Sequence, residues 1–117
     1  WLDQQRHAHM TRAVTYSRNG DAVELFATVG TTTVTEEDEQ GQVLRCEGRV
    51  FVLRAEDLVL PIAGLIEPSD GDEIREDLDG AVGVYRVVSL EGSGPFKFVN
   101  GRRDTIRVVT KLVGFDP

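Results

Sequence analysis

Cysteine, methionine and tryptophan each occur once in this 117-residue chain, and lysine only twice. A lone Cys46 excludes an intrachain disulfide and a cysteine-built metal cluster, and it fits a reducing compartment. No apolar run approaches the roughly 18 residues that a membrane helix needs, and no basic-then-apolar leader opens the chain at Trp1, so no membrane partner is expected. Catalytic signatures are missing too. There is no Gly-x-Ser-x-Gly elbow. Gly92-Ser93-Gly94 lacks the Gly-Lys-Ser/Thr ending of a phosphate loop, and Pro95 removes an N–H that such a cradle needs. What is present is globular: 40% hydrophobic and 28% charged residues, in a length suited to one domain.

Each remaining constellation that could carry chemistry falls short. His7 and His9 stand two apart, sharing a face on a strand but not on a helix, and no nearby carboxylate or cysteine completes a metal site. Cys46 as a nucleophile would need one of these histidines brought from the chain's start; a buried structural thiol is the plainer reading. Asp70-Gly71-Asp72-Glu73 followed by Asp77-Leu78-Asp79-Gly80 suggests calcium, but Ile74 stands where a third Asp or Asn is required. Asp-capped turns explain that run better. Paired carboxylates abound without a visible apolar setting that would raise one pKa. The sequence predicts no enzyme and no cofactor.

Charge is unevenly spread. Twenty acids against thirteen bases give −7. Residues 1–35 balance, residues 36–91 carry fifteen acids and five bases, and residues 92–117 carry five bases and two acids. Binding to a nucleic-acid backbone needs a basic surface that releases counterions, so this chain is expected not to cling to DNA, though it can sit beside it. An acidic middle and a basic end also suit head-to-tail contact between copies. Phe96 and Phe98, interleaved with Lys97, Arg102 and Arg103, form the one stretch that suits a single-strand stacking platform on an OB-like barrel.

Residues 1–12 read as an N-terminal helical segment, on helix formers such as Leu2, Gln4, Gln5 and Ala8, and residues 13–117 as a β domain. Val14 and Tyr16 alternate with polar neighbours up to the turn Asn19-Gly20, after which Val23, Leu25, Ala27 and Val29 alternate again; that is a hairpin. The second strand runs on through Thr31 to Thr35, with Gly30 read as a bulge. Glu36, Glu37, Asp38 and Glu39 lead into Gln40-Gly41 as a solvated hairpin tip, and the return strand includes Val43, Leu44, Cys46 and Val50 to Leu53, with Gly48 as a kink. Ala55 to Leu58 reads as a single helical turn. The loop 61–72 is unusually apolar at Ile62, Leu65 and Ile66. Short strands at Asp72–Arg75, Ala81–Ser89 and Phe96–Val99 precede a last one from about Asp104 to Val113. Six or seven strands with closely spaced turns predict an all-β, single-domain small barrel or sandwich.

The stretches "VTYSRNGDAVELFATVG" at 14–30, "RVFVLRAEDLVL" at 49–60, "GDEI" at 71–74, "VYRV" at 84–87 and "TIRVVTK" at 105–111 resemble small head-tail connector proteins of tailed phages. The resemblance spans most of the chain after the first ten residues. It implies a head-completion, stopper or joining protein, assembled in the host cytoplasm as a homo-oligomeric ring (a hexamer first, a dodecamer second) in the virion neck. Its partners would be portal or adaptor proteins and tail proteins, with genomic DNA passing nearby. The chain departs from that pattern in having Phe96 and Phe98 where a tryptophan-rich segment is expected, and in its apolar 61–70 loop.

On this reading the interface residues are Ile62, Leu65, Ile66, Phe96 and Phe98 with the cations Arg102, Arg103 and Arg107. The acidic loop Glu36, Glu37, Asp38 and Glu39 faces the lumen or a neighbouring ring. The class-different alternatives are a free-standing protein-interaction adaptor and a single-stranded nucleic-acid module.

Overall fold

The computed structural model describes residues 11–37, 39–89, 94–99, 101 and 103–116. The helix expected at the start falls outside them up to Met10, as do His7, His9, Asp38 and Arg102. Thr11 and Arg12 already belong to the first strand. Nine strands follow one another among the described residues: β1 (Thr11–Arg18), β2 (Asp21–Glu37), β3 (Val43–Arg54), β4 (Val59–Leu60), β5 (Gly64–Leu65), β6 (Glu73–Asp77), β7 (Val82–Val87), β8 (Phe96–Phe98) and β9 (Thr105–Asp116). A single 3₁₀ turn, Ala55–Asp57, stands where the helical turn was expected.

Six strands close into a barrel in the order β3-β2-β1-β6-β7-β9, because β9 pairs back onto β3. All of these pairings are antiparallel. Period-two patterning decides what faces inward. Val14 and Tyr16 of β1, Leu25, Ala27 and Val29 of β2, and Phe51 and Leu53 of β3 fill the interior with Ile74, Tyr85, Val87, Ile106 and Val108. Phe51 meets the Tyr85 ring edge-on at 5.6 Å. Phe26, one register step out of phase, is 67% exposed.

The β1–β2 hairpin turns on Asn19 and Gly20, with φ of 52° and 83°. Both central residues of this tight turn need positive φ, which Asn tolerates and Gly adopts without steric cost. The bulge expected at Gly30 does not exist, and no shift of register accompanies the kink expected at Gly48. Gly30 pairs with Val50 and Thr32 with Gly48 in one unbroken register. These glycines mark instead where a two-stranded arm leaves the barrel. β1 pairs with β2 no further than Thr28, and β9 pairs with β3 no further than Gly48. Beyond those points β2 and β3 have only each other, from Thr31 opposite Arg49 to Glu37 opposite Val43. The real register shift lies between β7 and β9, where Val84 pairs with Gly114 but Tyr85 with Leu112, making Val113 the extra residue of a bulge.

β7 and β8 lie in line along β9. Val87 pairs with Thr110 and Phe96 with Val108, so nine positions of one strand cover only two of the other. The surplus forms an excursion that begins with Val88, whose N–H donates to the Val109 carbonyl. β8 has no further strand beside it among the described residues.

Candidate interaction cleft

Directional polar bonds fix the segment between β4 and β6 against the barrel. The Asp21 carboxylate accepts the N–H groups of both Ile62 and Ala63 at 2.9 Å, tying the β4–β5 hairpin to the β1–β2 turn. Arg18 reaches along the same end, with Nη2 donating to the Glu67 carbonyl at 2.7 Å. Its guanidinium also clasps Asp72, Nε to Oδ1 at 2.8 Å and Nη2 to Oδ2 at 2.7 Å. Asp72 further accepts from the Ser69 N–H at 3.0 Å and from the buried Tyr16 hydroxyl. Burial first, and then the hydrogen bond to Asp72, push the Tyr16 phenol well above its ordinary range.

Leu58 and Leu60 lie beneath this segment, fully buried, and the Ile66 N–H bonds to the Leu58 carbonyl. Above it the side chains are not covered. Ile62 is 88% and Leu65 69% exposed. Scattered surface apolar residues are ordinary, but here the backbone on either side of them is held by the Asp21 carboxylate and by Arg18.

Leu65 and Ile66 form one wall of a cleft of about 620 Å³, with Phe96, Phe98 and Ile106 opposite and Arg103 at the rim. Phe96 and Phe98 share the inward side of β8, pack edge to face at 5.4 Å, and rest against the barrel core. Their rings are half-buried, packed on each other and on the core, and both line the cleft. Arg103 lies over Phe98 at 5.7 Å. Four of the apolar residues singled out in the sequence thus meet in one place, together with Arg103. Ile62 stands outside the lining at the hairpin tip. Arg107 lies on the strand face away from Phe96 and Phe98, directly opposite Lys97 in the β8–β9 register. Glu56 and Glu67 on the rim were not anticipated; nothing local in sequence marks them, because only the fold brings them to the cleft.

The opposite end of the barrel carries the arm. Glu36 and Glu37 take the last positions of β2, and Glu39, Gln40 and Gly41 form an exposed turn. Val43 and Leu44 beyond it are 62% and 48% exposed. Cys46 pairs with Val34 within the arm; its side chain lies outside what the structure describes. A buried carboxylate that sequence reasoning missed, Glu76, sits at the arm's base between Arg12 Nη1 at 3.2 Å and Arg49 Nε at 3.4 Å. No group of three or more His, Cys, Asp or Glu side chains able to hold a metal occurs among the described residues.

The chain is thus a small closed barrel with a projecting two-stranded arm at one end and an apolar cleft at the other. The family model described as phage head-tail joining protein matches residues 1–117. The chain belongs to that family. Searches of curated proteins and of solved structures return no match. Family membership agrees with the resemblance read from the strand and turn motifs.

Proposed function

We propose that this member of the joining family is a structural virion protein that forms a ring in the phage neck between portal and tail. The ring joins head to tail and encloses the DNA channel. The observation that carries this reading is the cleft: Leu65 and Ile66 are exposed or half-buried, yet the backbone beneath them is pinned by Asp21, Arg18 and Asp72. Holding apolar side chains rigidly in water serves a partner surface, since interface energy concentrates in a few preorganised apolar residues. The partners are neighbouring copies, a portal or adaptor protein and a tail protein. The net charge of −7 repels the phosphate backbone, so DNA passes without specific binding. The role involves no turnover and no cofactor. Assembly takes place in the host cytoplasm.

A joining assay tests the reading. Filled heads and tails are combined with parent protein or with the Leu65→Ala/Ile66→Ala variant, and joined particles are counted by electron microscopy. Each truncation at a central contact costs about 1 kcal/mol or more, so the double variant should join at least roughly tenfold less well at limiting protein. Parental joining by that variant would remove the cleft from the function.

A further inference from the structure

The cleft and the arm complement each other, and they lie at opposite ends of the same barrel. β3 runs from Val43 at the arm tip to Arg54, and the next residues, Ala55 and Glu56, already line the cleft. The arm extends roughly 20 Å beyond the barrel at about 3.4 Å per residue. It points away from its own chain's cleft, so only another copy's arm can enter that site.

The cleft lining holds Arg103 with Glu56 and Glu67, and two further cations lie on the outer face of the β8–β9 pair. Arg12, Arg18, Arg49, Arg54, Arg75 and Arg86 each reach a carboxylate. Lys97, Arg103 and Arg107 have no such partner among the described residues, although acids outnumber bases twenty to thirteen. Lys97 stands directly across from Arg107, a like-charged pair that destabilises the ladder unless an anion lies near it. The arm carries the converse. Glu39 is exposed in its turn, as are Val43 and Leu44 on the strand that follows, and Arg45 has no acid partner among the described residues. Glu67 in the cleft lining likewise has no basic partner among the described residues and can receive Arg45.

We infer that the β2–β3 arm tip of one copy seats in the Leu65–Phe98 cleft of the next, with Leu44 on the apolar floor and Glu39 towards Arg103. The contact is heterologous: different patches of two identical chains meet, which is the geometry that generates rings when the rotation closes. This rests on the reading that copies of the chain associate, and it names the surfaces through which they do so.

Mixed cross-linking tests it. Leu44→Cys and Leu65→Cys are made separately in a Cys46→Ser background, and each is oxidised alone and as an equal mixture. Light scattering of the parent protein follows association in parallel. The expected result is a covalent dimer that forms predominantly in the mixture. Dimers that form equally in either single variant, or oligomers without any mixed product, overturn the arm-in-cleft contact and leave the ring reading standing. A parent protein that is monomeric at every concentration overturns both. A charge exchange gives an independent measurement that needs no cysteine. Glu39→Lys and Arg103→Glu should each weaken association about two- to fivefold, in keeping with a solvent-exposed ion pair, and their combination should restore it. Additive losses in the double variant count against the contact. Occupation of the cleft by single-stranded DNA, read as a mobility shift abolished by Arg103→Glu, also overturns it.

Discussion

Asp72 and Glu76 flank Ile74 at the two ends of β6 and are 4% and 1% exposed, yet they are held by different physics. Asp72, at the cleft end, accepts directional hydrogen bonds from Tyr16, Arg18 and the Ser69 backbone. Glu76, at the arm end, is neutralised by two arginines but accepts no hydrogen bond on either oxygen from any described residue. Arg49 Nε donates instead to the Tyr85 hydroxyl at 2.9 Å, and its guanidinium lies over that ring. One carboxylate organises the backbone around it, while the other is merely compensated. The cleft end needs the first kind, because exposed apolar residues keep a fixed arrangement only when the chain beneath them cannot collapse.

The sharpest way to break this contrast is to remove Asp72. Asp72→Ala strands a buried phenol, an arginine and a backbone N–H together, and losses of that kind cost about 3–5 kcal/mol. Urea unfolding should show a drop of that order. A loss below about 1 kcal/mol would mean that the network is ornamental and the 61–70 segment is held by packing alone.

Tyr16→Phe is the next step down, costing about 1 kcal/mol at neutral pH for one lost hydrogen bond. Its value lies in its pH dependence. The Tyr16 phenol is raised by burial above the unfolded value near 10. Below that pH both states keep the proton and the contribution is fully present. Above it the unfolded chain ionises while the folded chain does not, so stability is lost as pH rises. Parent and variant unfolding free energies measured from pH 8 upward should therefore converge above about pH 10. A constant difference would place the phenol's proton outside the network.

Glu76→Met should matter far less, by about 1 kcal/mol or less in either direction. Replacing a buried, imperfectly bonded ion by an apolar side chain is often neutral. Arg12 is half exposed and can turn to solvent, and Arg49 keeps Tyr85. A loss as large as that at Asp72 erases the distinction between the two ends.

The two ends also differ in how far the sequence reveals them. Asn19-Gly20 and the alternations in β2 and β9 announce strands and turn directly, because each is a local pattern with a local cause. Glu76 is hidden in Glu73-Ile74-Arg75-Glu76-Asp77, where charge at four of five positions masks the inward side. Its partners come from β1 and β3, which no spacing rule connects to it. Gly30 reads as a bulge because glycine inside an alternating strand commonly marks one, yet its pairing is regular and a side chain there would meet open space. The cleft was half legible. Leu65, Ile66, Phe96 and Phe98 stand out as apolar residues in turn-rich stretches. Their meeting depends on the excursion between β7 and β8, whose length could not indicate where it returns.

The smallest expected change in global stability belongs to Asp21→Ala. Its carboxylate holds two backbone N–H groups of a two-residue-per-strand hairpin at the surface. Exposed bonds of this kind add little to the folding free energy, so urea unfolding should move by only about 0.5 kcal/mol. Locally the effect is large. The Ile62 and Ala63 amides lose their acceptor, and hydrogen exchange there should accelerate about tenfold while the amides of β1, β2 and β9 stay unchanged. Head-to-tail joining should fall with it, because Leu65 would then have to be ordered at the moment of contact instead of beforehand. A variant with fast-exchanging Ile62 and Ala63 amides and undiminished joining would show that the cleft end tolerates a loose wall. The rigidity contrasted here with the arm end would then serve stability alone.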